Sequence, residues 1–330
     1  MIISRTPFRI SFFGGGTDLP TWYKENGGSV LSTSIDKYCY ISCRQLPPFF
    51  EYKHRIVYSK HEHLNEIDEI VHPAVRETFR FMKVKEGLEI HHDADIPARS
   101  GLGSSSSFTV GLLHALYALE GKMVTKMRLA IEAIHIEQKM IKENVGSQDQ
   151  VAVAFGGLNK IGFSGNHNIE VTPITISQKK LLKFQNHFML FFTGFSRTAS
   201  SIEAEKIKQV PNRKSELKEM HNMVEEAIHI LTGEKDVLEF GRLLHESWKL
   251  KKTLSNNVSN SFIDHIYEIA MKNGAIGGKI LGAGGGGFVL FFVKPEDREC
   301  LKEALSFLLN VPFRFETSGS QIIYYSESGV

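Results

Sequence analysis

The chain opens with MIISRTPFRISFF (1–13), a run of β-branched and aromatic residues that predicts a strand. YCYISCRQ (38–45), HRIVYSK (54–60) and GLEIHHDAD (87–95) continue in short β-rich pieces. The period then changes. SFTVGLLHALYALEG (107–121) and TKMRLAIEAIHIEQKMIKEN (125–144) repeat their apolar residues at helical spacing, and Gly146 marks a stop. After the strand-like GLNKIGF (157–163) and a turn-rich SGNHN, a second set starts near residue 180 with HFMLFFTG (187–194). Helical patterns follow at 202–209, 214–231, 237–250 and 262–275, and then GKILGAGGGGFVLFFVK (278–294) reads as strand, glycine loop and strand. Strands followed by helices in both halves predict an α+β fold with domains at 1–180 and 181–330.

Composition narrows the class of partner. The 330 residues, 42% of them hydrophobic, suffice for two ordinary domains sharing a cleft. Lysine and arginine number 39 against 37 acids, and a net charge of +2 provides no field suited to nucleic acid or an anionic membrane. Cys39, Cys43 and Cys300 form neither a disulfide framework nor a CxxC pair, which fits a reducing cytoplasm. Arg5, Arg9 and Asp18 interrupt any secretory core at the start, and the longest apolar run, FVLFFV (288–293), is far short of a membrane span. A small-molecule partner is the expectation.

Three glycine loops carry the candidate chemistry. In IPARSGLGSSSSFTV, Gly101, Leu102 and Gly103 precede Ser104, Ser105, Ser106 and Ser107 at the start of a predicted helix. Glycines admit a phosphate close to the backbone, the free amides and positive end of the helix face it, and serine hydroxyls suit a hard cation. Capping alone would need one serine. The loop GAGGGGF (282–288) contains GxGxxG, but a dinucleotide fingerprint must open a helix, and here a strand follows. We therefore expect a cleft-lining loop rather than an NAD site. The third, FFGGGTDLP (12–20), taken alone reads as a helix start with Asp18 as its N-cap.

One carboxylate stands out by position. Ala130, Ile134, Glu137 and Ile141 fall on one helical face, so Glu137 points inward while Glu132 and Glu143 project outward as solvated charges. A buried carboxylate needs compensation, either a metal ion such as Mg2+ or an internal salt bridge. In GSQDQ, Asp149 lies in the first turn of a short helix with Ser147 and Gln150 as a capping box. The two helices can bring Asp149 and Glu137 to one cleft.

TPFRISFFGGGTD (6–18), PARSGLGSSSS (97–107) and KILGAGGGGF (279–288), in this order, resemble the three motifs of the galactokinase, homoserine kinase, mevalonate kinase and phosphomevalonate kinase (GHMP) superfamily. The resemblance implies a ribosomal-S5-like N-terminal domain, a ferredoxin-like C-terminal domain, ATP with Mg2+, and a sugar or sugar-phosphate substrate. Within that superfamily FGGGTDLP and VGSQDQ look most like D-glycero-D-manno-heptose 7-phosphate kinases, with fucokinase-type enzymes next. Carried over by position, Asp149 matches the general base and Arg9 the basic residue beside it, while Glu137 and Ser105 match the magnesium ligands. Gly101 to Ser107 match the ATP loop, and Gly15, Gly16, Thr17, Asp18, Gly284 and Gly285 the substrate side. A distal phosphate on the sugar would need a cation, for which Arg197 is chosen ahead of Lys251 and Lys252. A sugar-binding regulator that has lost catalysis is the contrasting expectation, disfavoured by the joint presence of Asp149, Glu137, Arg9 and the serines.

Overall fold

The computed structural model describes residues 1–165, 168–194, 204–205, 207, 209–255 and 257–326. Strands β1 (Ile2–Phe13) and β2 (Gly28–Gln45) pair antiparallel along most of their length and form the spine of the larger sheet. Around them stand β5 (Leu88–Ala94), β3 (His54–Val57) and β4 (His61–Leu64) on one side, and β6 (Leu158–Ser164) with β7 (Asn168–Pro173) further along β2. β2 starts ten residues before the expected strand, because GSVLSTSI also pairs with β1 and β6.

Helices α1 (Pro20–Asn26), α2 (Pro73–Met82), α3 (Ser104–Leu119), α4 (Lys126–His135) and α5 (Gln148–Phe155) accompany this sheet. α3 is central and is buried on almost every face, with the Ser4 hydroxyl donating to Gly111 O at 2.8 Å where strand and helix touch. The expected helix 125–144 ends earlier. After α4 the backbone widens into a π-helical turn, Ile136–Met140, and the left-handed Lys142 (φ 64°) then breaks the helix. The widened turn carries Glu137 into the interior. π turns inside helices often mark functional sites.

The second unit follows α6 (Gln178–Gln185) and contains β8 (Phe188–Phe192), α7 (Lys214–Thr232), α8 (Leu238–Thr253), α9 (Ser261–Lys272), β9 (Ala275–Ile280), β10 (Phe288–Val293), α10 (Arg298–Ala304) and β11 (Leu309–Asn310). Its strands lie in the order β11-β8-β10-β9, so that first, second, third and fourth in the chain stand as 4-1-3-2, the ferredoxin-like arrangement. FVLFFV is buried at all six positions, as its apolar run requires. Position 180 falls inside α6. The last strands, β12 (Phe315–Glu316) and β13 (Gln321–Tyr325), leave this unit and pair with β2 and β1, so the larger sheet takes strands from both ends of the chain.

The two units share a core. Phe12 and Phe13 at the end of β1 meet Phe240 of α8 at ring-centroid distances of 5.5 and 5.0 Å, and Phe184 of α6 lies 4.7 Å from Phe240. Such edge-to-face contacts fix relative orientation as well as burying area. Among the described residues no helix is long and apolar enough to cross a membrane.

Candidate active site

The site forms where β1, α5 and the start of α3 converge. Arg9, nearly buried on β1, donates through Nε to Asp149 Oδ1 at 2.7 Å and through Nη2 to Asp149 Oδ2 at 2.6 Å. Its remaining Nη1 donates to Gly101 O at 2.7 Å, and its backbone N–H donates to Leu102 O at 3.0 Å. One arginine thus fastens the carboxylate and the glycine loop together, in the bidentate geometry that planar guanidinium favours. Asp149 keeps 25% of its side chain exposed. Each carboxylate oxygen has a second lone pair, so Asp149 can still accept a proton from a hydroxyl arriving from the open side.

Gly103 is the N-cap of α3 in left-handed conformation, and no side chain caps the helix. The first-turn amides are therefore available to an anion. None of the four serines caps; each does something else. Ser104 Oγ accepts from Arg99 N at 3.0 Å, Ser107 Oγ donates to Pro7 O at 2.9 Å, Ser106 Oγ donates to Glu137 Oε2 at 3.0 Å, and Ser105 is exposed. Ser105 is the expected magnesium ligand beside Glu137, and the loop serine that touches the Glu137 carboxylate is Ser106. The helical phase decides this, since only the serine facing α4 can meet that carboxylate.

Glu137 is fully buried and joins no ion pair among the described residues, so the expected alternative of an arginine partner is not realised. Gln150 Nε2 donates to its Oε2 at 2.5 Å beside Ser106, while Oε1 has no hydrogen-bond partner among the described residues. Burial, reinforced by the neighbouring Glu143, pushes the Glu137 carboxyl up to about 8. A buried carboxylate with one bare oxygen beside a hydroxyl-bearing loop fits a divalent cation. Among the described residues no three His, Cys, Asp or Glu side chains could hold a metal together, so such a cation would draw its other ligands from serine hydroxyls, phosphate and water. The outward pair behaves differently from expectation: Glu132 is held by Tyr117 Oη at 2.8 Å and by Arg128 at 2.7 Å, and burial raises the Glu143 carboxyl as well.

This has a measurable consequence. Because its folded value lies above the ordinary 4.5, Glu137 supports stability fully below that pH, and the support is lost as pH rises towards about 8. Metal-free Glu137→Gln protein is therefore expected to melt higher than wild type at pH 8 and equally at pH 4.5. Parallel melting curves across that range would show that Glu137 stays charged without metal.

On the other wall, Asp18 is not the N-cap of α1; Leu19 is. The Asp18 carboxylate accepts from Gly16 N at 2.9 Å and from Gln148 N at 3.4 Å, and only 3% of the residue is exposed. It ties the Gly15–Gly16–Thr17 turn to the start of α5. The chain passes so close that a Cβ on Gly146 would stand 1.8 Å from Asp18 Oδ2. Thr17 is buried with its hydroxyl donating to Gly14 O at 2.8 Å, whereas Gly15 and Gly16 stay half-exposed. Ser147 and Gln150 form no capping box, since Ser147 Oγ meets Tyr23 Oη at 3.2 Å and Gln150 is committed to Glu137.

The GAGGGGF loop closes against the Gly101–Ser107 loop. A Cβ on Gly101 (φ +86°) would lie 2.6 Å from Leu281 O, and one on Gly282 (φ +67°) would lie 2.6 Å from Gly101 Cα. Gly285 N donates to Val258 O at 2.9 Å, and Gly284 (φ +111°) packs on the same residue. Lys251, a candidate for a distal phosphate, is instead buried and donates to Ile280 O at 2.9 Å and Gly282 O at 2.6 Å, clamping this loop. Lys252 pairs with Asp264 at 2.9 Å, and Arg197 lies outside the described residues. Gln150 is not a site residue in the sequence reading, and Lys251 enters it as a candidate for the distal phosphate rather than as the clamp of this loop. A lysine in the last turn of a helix reads as a surface charge, and the amide beside Asp149 reads as a cap.

Residues 69–157 match the GHMP kinases N terminal domain, and residues 223–310 match the GHMP kinases C terminal domain. The D-glycero-alpha-D-manno-heptose 7-phosphate kinase of Campylobacter jejuni is 31% identical over 320 residues, covering 92% of this chain and 93% of that protein. A bifunctional fucokinase/GDP-fucose pyrophosphorylase of Arabidopsis thaliana is 26% identical over 90% of this chain and 30% of its own length. The crystal structure of a D-glycero-D-manno-heptose 1-phosphate kinase from Bacteriodes thetaiotaomicron superposes with a TM-score of 0.80 at 23% identity, covering 99% of this chain and all of that one. The chain belongs to the GHMP kinase family and has its two-domain fold. It is an ATP-dependent sugar kinase.

Proposed function

We propose that this kinase transfers the γ-phosphoryl of ATP to the anomeric hydroxyl of D-glycero-D-manno-heptose 7-phosphate, giving the 1,7-bisphosphate. The observation that carries the chemistry is the Arg9–Asp149 pair, set against the glycine loop through Gly101 O. The choice of sugar rests on similarity to the heptose 7-phosphate kinase. Asp149 takes the proton of the attacking hydroxyl, and Arg9 holds the carboxylate in place. The amides of Gly101 to Ser107 cradle the phosphates. Glu137, touched by the Ser106 hydroxyl, would hold Mg2+ with Ser105 of the same loop, and the ion when bound neutralises phosphate charge and aligns the γ-phosphoryl. The half-exposed Gly15–Gly16 turn, pinned by Thr17 and Asp18, and the loop around Gly284 and Gly285 bound the sugar. Residues 1–180 would then supply the nucleotide loop and base, and 181–330 the opposing wall. Because phosphoryl transfer is largely dissociative, alignment contributes more than early deprotonation.

A panel of acceptors tests the substrate. The 7-phosphate is expected to exceed the unphosphorylated heptose in kcat/KM by about a hundredfold or more, because a site that pairs a charged group leaves its cation unpaired when the group is absent. Similarity to the fucokinase domain supports an alternative, a sugar without a distal phosphate. Equal or better turnover of L-fucose would establish it and reject the heptose assignment.

A further inference from the structure

Asp149 and Gln150 are neighbours in the first turn of α5, and a helix turns successive side chains apart by about 100°. One helix therefore reaches two walls of the site. Asp149 goes to Arg9 on the open side, and Gln150 goes inward to Glu137 on the π turn.

The inward contact is specific in its geometry. Gln150 is fully buried, and its amide donates at 2.5 Å to the same oxygen, Oε2, that receives the Ser106 hydroxyl at 3.0 Å. The other oxygen, Oε1, accepts no well-formed hydrogen bond among the described residues, although the nearby Thr109 hydroxyl, which donates to Ser105 O at 3.2 Å, also favours the charged carboxylate, and Gln150's own Oε1 is buried without a partner. Two donors from different helices on one oxygen and none on the other do more than satisfy a carboxylate. They fix its rotation and leave a single oxygen bare, the form a monodentate ligand takes. A purely structural glutamine would gain more by spreading its bonds, since its stranded carbonyl is itself unfavourable.

We propose that Gln150 is a positioning residue that orients Glu137 for the cation, so that α5 sets the base and the cation ligand together. This rests on the reading of Glu137 as a cation ligand given above. Outer partners of metal ligands commonly shift metal affinity by about ten- to a hundredfold.

The test uses Gln150→Met, which keeps volume and removes the donor, and Gln150→Asn, whose shorter arm cannot reach. Mn2+ binding to the enzyme–ATP complex is read by electron paramagnetic resonance, alongside the Mg2+ concentration for half-maximal rate. Both variants are expected to weaken Mn2+ binding by about tenfold or more and to raise the Mg2+ requirement in proportion. The KM for sugar and the affinity for metal-free ATP should stay unchanged, with most of kcat recovered at high Mg2+. In a Glu137→Gln background, Gln150→Met should add nothing further. Should Glu137→Gln weaken Mn2+ binding while folded Gln150→Met or Gln150→Asn leaves it unchanged, the positioning role is overturned and Glu137's role stands. If Glu137→Gln itself leaves Mn2+ binding unchanged, the reading of Glu137 falls, and this inference with it.

Discussion

Asp149→Asn is expected to lower kcat by about 10²- to 10⁴-fold, the usual contribution of a positioned general base, while the affinity for ATP stays within about twofold of wild type. Asparagine is the informative replacement. Arg9 is nearly buried, and its guanidinium already spends one N–H on Gly101 O and two on Asp149. A shorter or apolar residue would strand that charge and disturb the loop, whereas the amide oxygen still accepts one of the bonds. Single-turnover rates would separate chemistry from product release, and equilibrium binding of ATP would report the loop. A loss in kcat below about tenfold would remove Asp149 from the chemical step. A parallel loss of ATP affinity would instead mean that the Arg9–Asp149 pair serves the loop alone.

Gly101→Ala is the second large effect. A methyl group there would press on Leu281 O at 2.6 Å, and Gly101 sits at φ +86°, so both the close approach and the conformation exclude it. The obstacle is the backbone of Leu281, whose carbonyl carbon stands at 3.0 Å, and no flexible side chain can yield. The variant should lose about 2–4 kcal/mol of stability and bind ATP at least about tenfold more weakly, because the amides that face the phosphates are displaced. Gly121→Ala is the control. It has φ +67° but meets nothing within 4 Å, so it should cost only about 1 kcal/mol and leave ATP binding alone. Similar losses in the two variants would mean that conformation, not the contact between the loops, sets the cost.

How legible the molecule is in its sequence depends on the range of the interaction. The strands around Arg9 and FVLFFV, the helices at 104–119, 214–232 and 238–253, and the strand that follows GAGGGG follow from local period and composition. Glu137's inward position follows from helical phase, because three apolar neighbours share its face. What period cannot reach is where a polar side chain finds its partner. The contact of Ser106 with Glu137, the tie between Asp18 and the start of α5, and Lys251 on two carbonyls of a loop about thirty residues away are all set by tertiary approach. The π turn escapes because it lies near the end of the helical pattern, where too few apolar positions follow Glu137 to register the change of phase. The return of β12 and β13 to the larger sheet escapes because β pairing partners carry no local signature.

That return also orders events during synthesis. One flank of β1 is completed by β13, made far later in the chain, and the Met1 amino group meets Ser326 O across a separation of 325 residues. Until that distant segment emerges, β1 offers a row of unpaired N–H and C=O groups to any passing strand. A nascent chain stalled before residue 321 should therefore lean on chaperones that shield open edges, and the arrival of β13 becomes the step that seals the larger sheet.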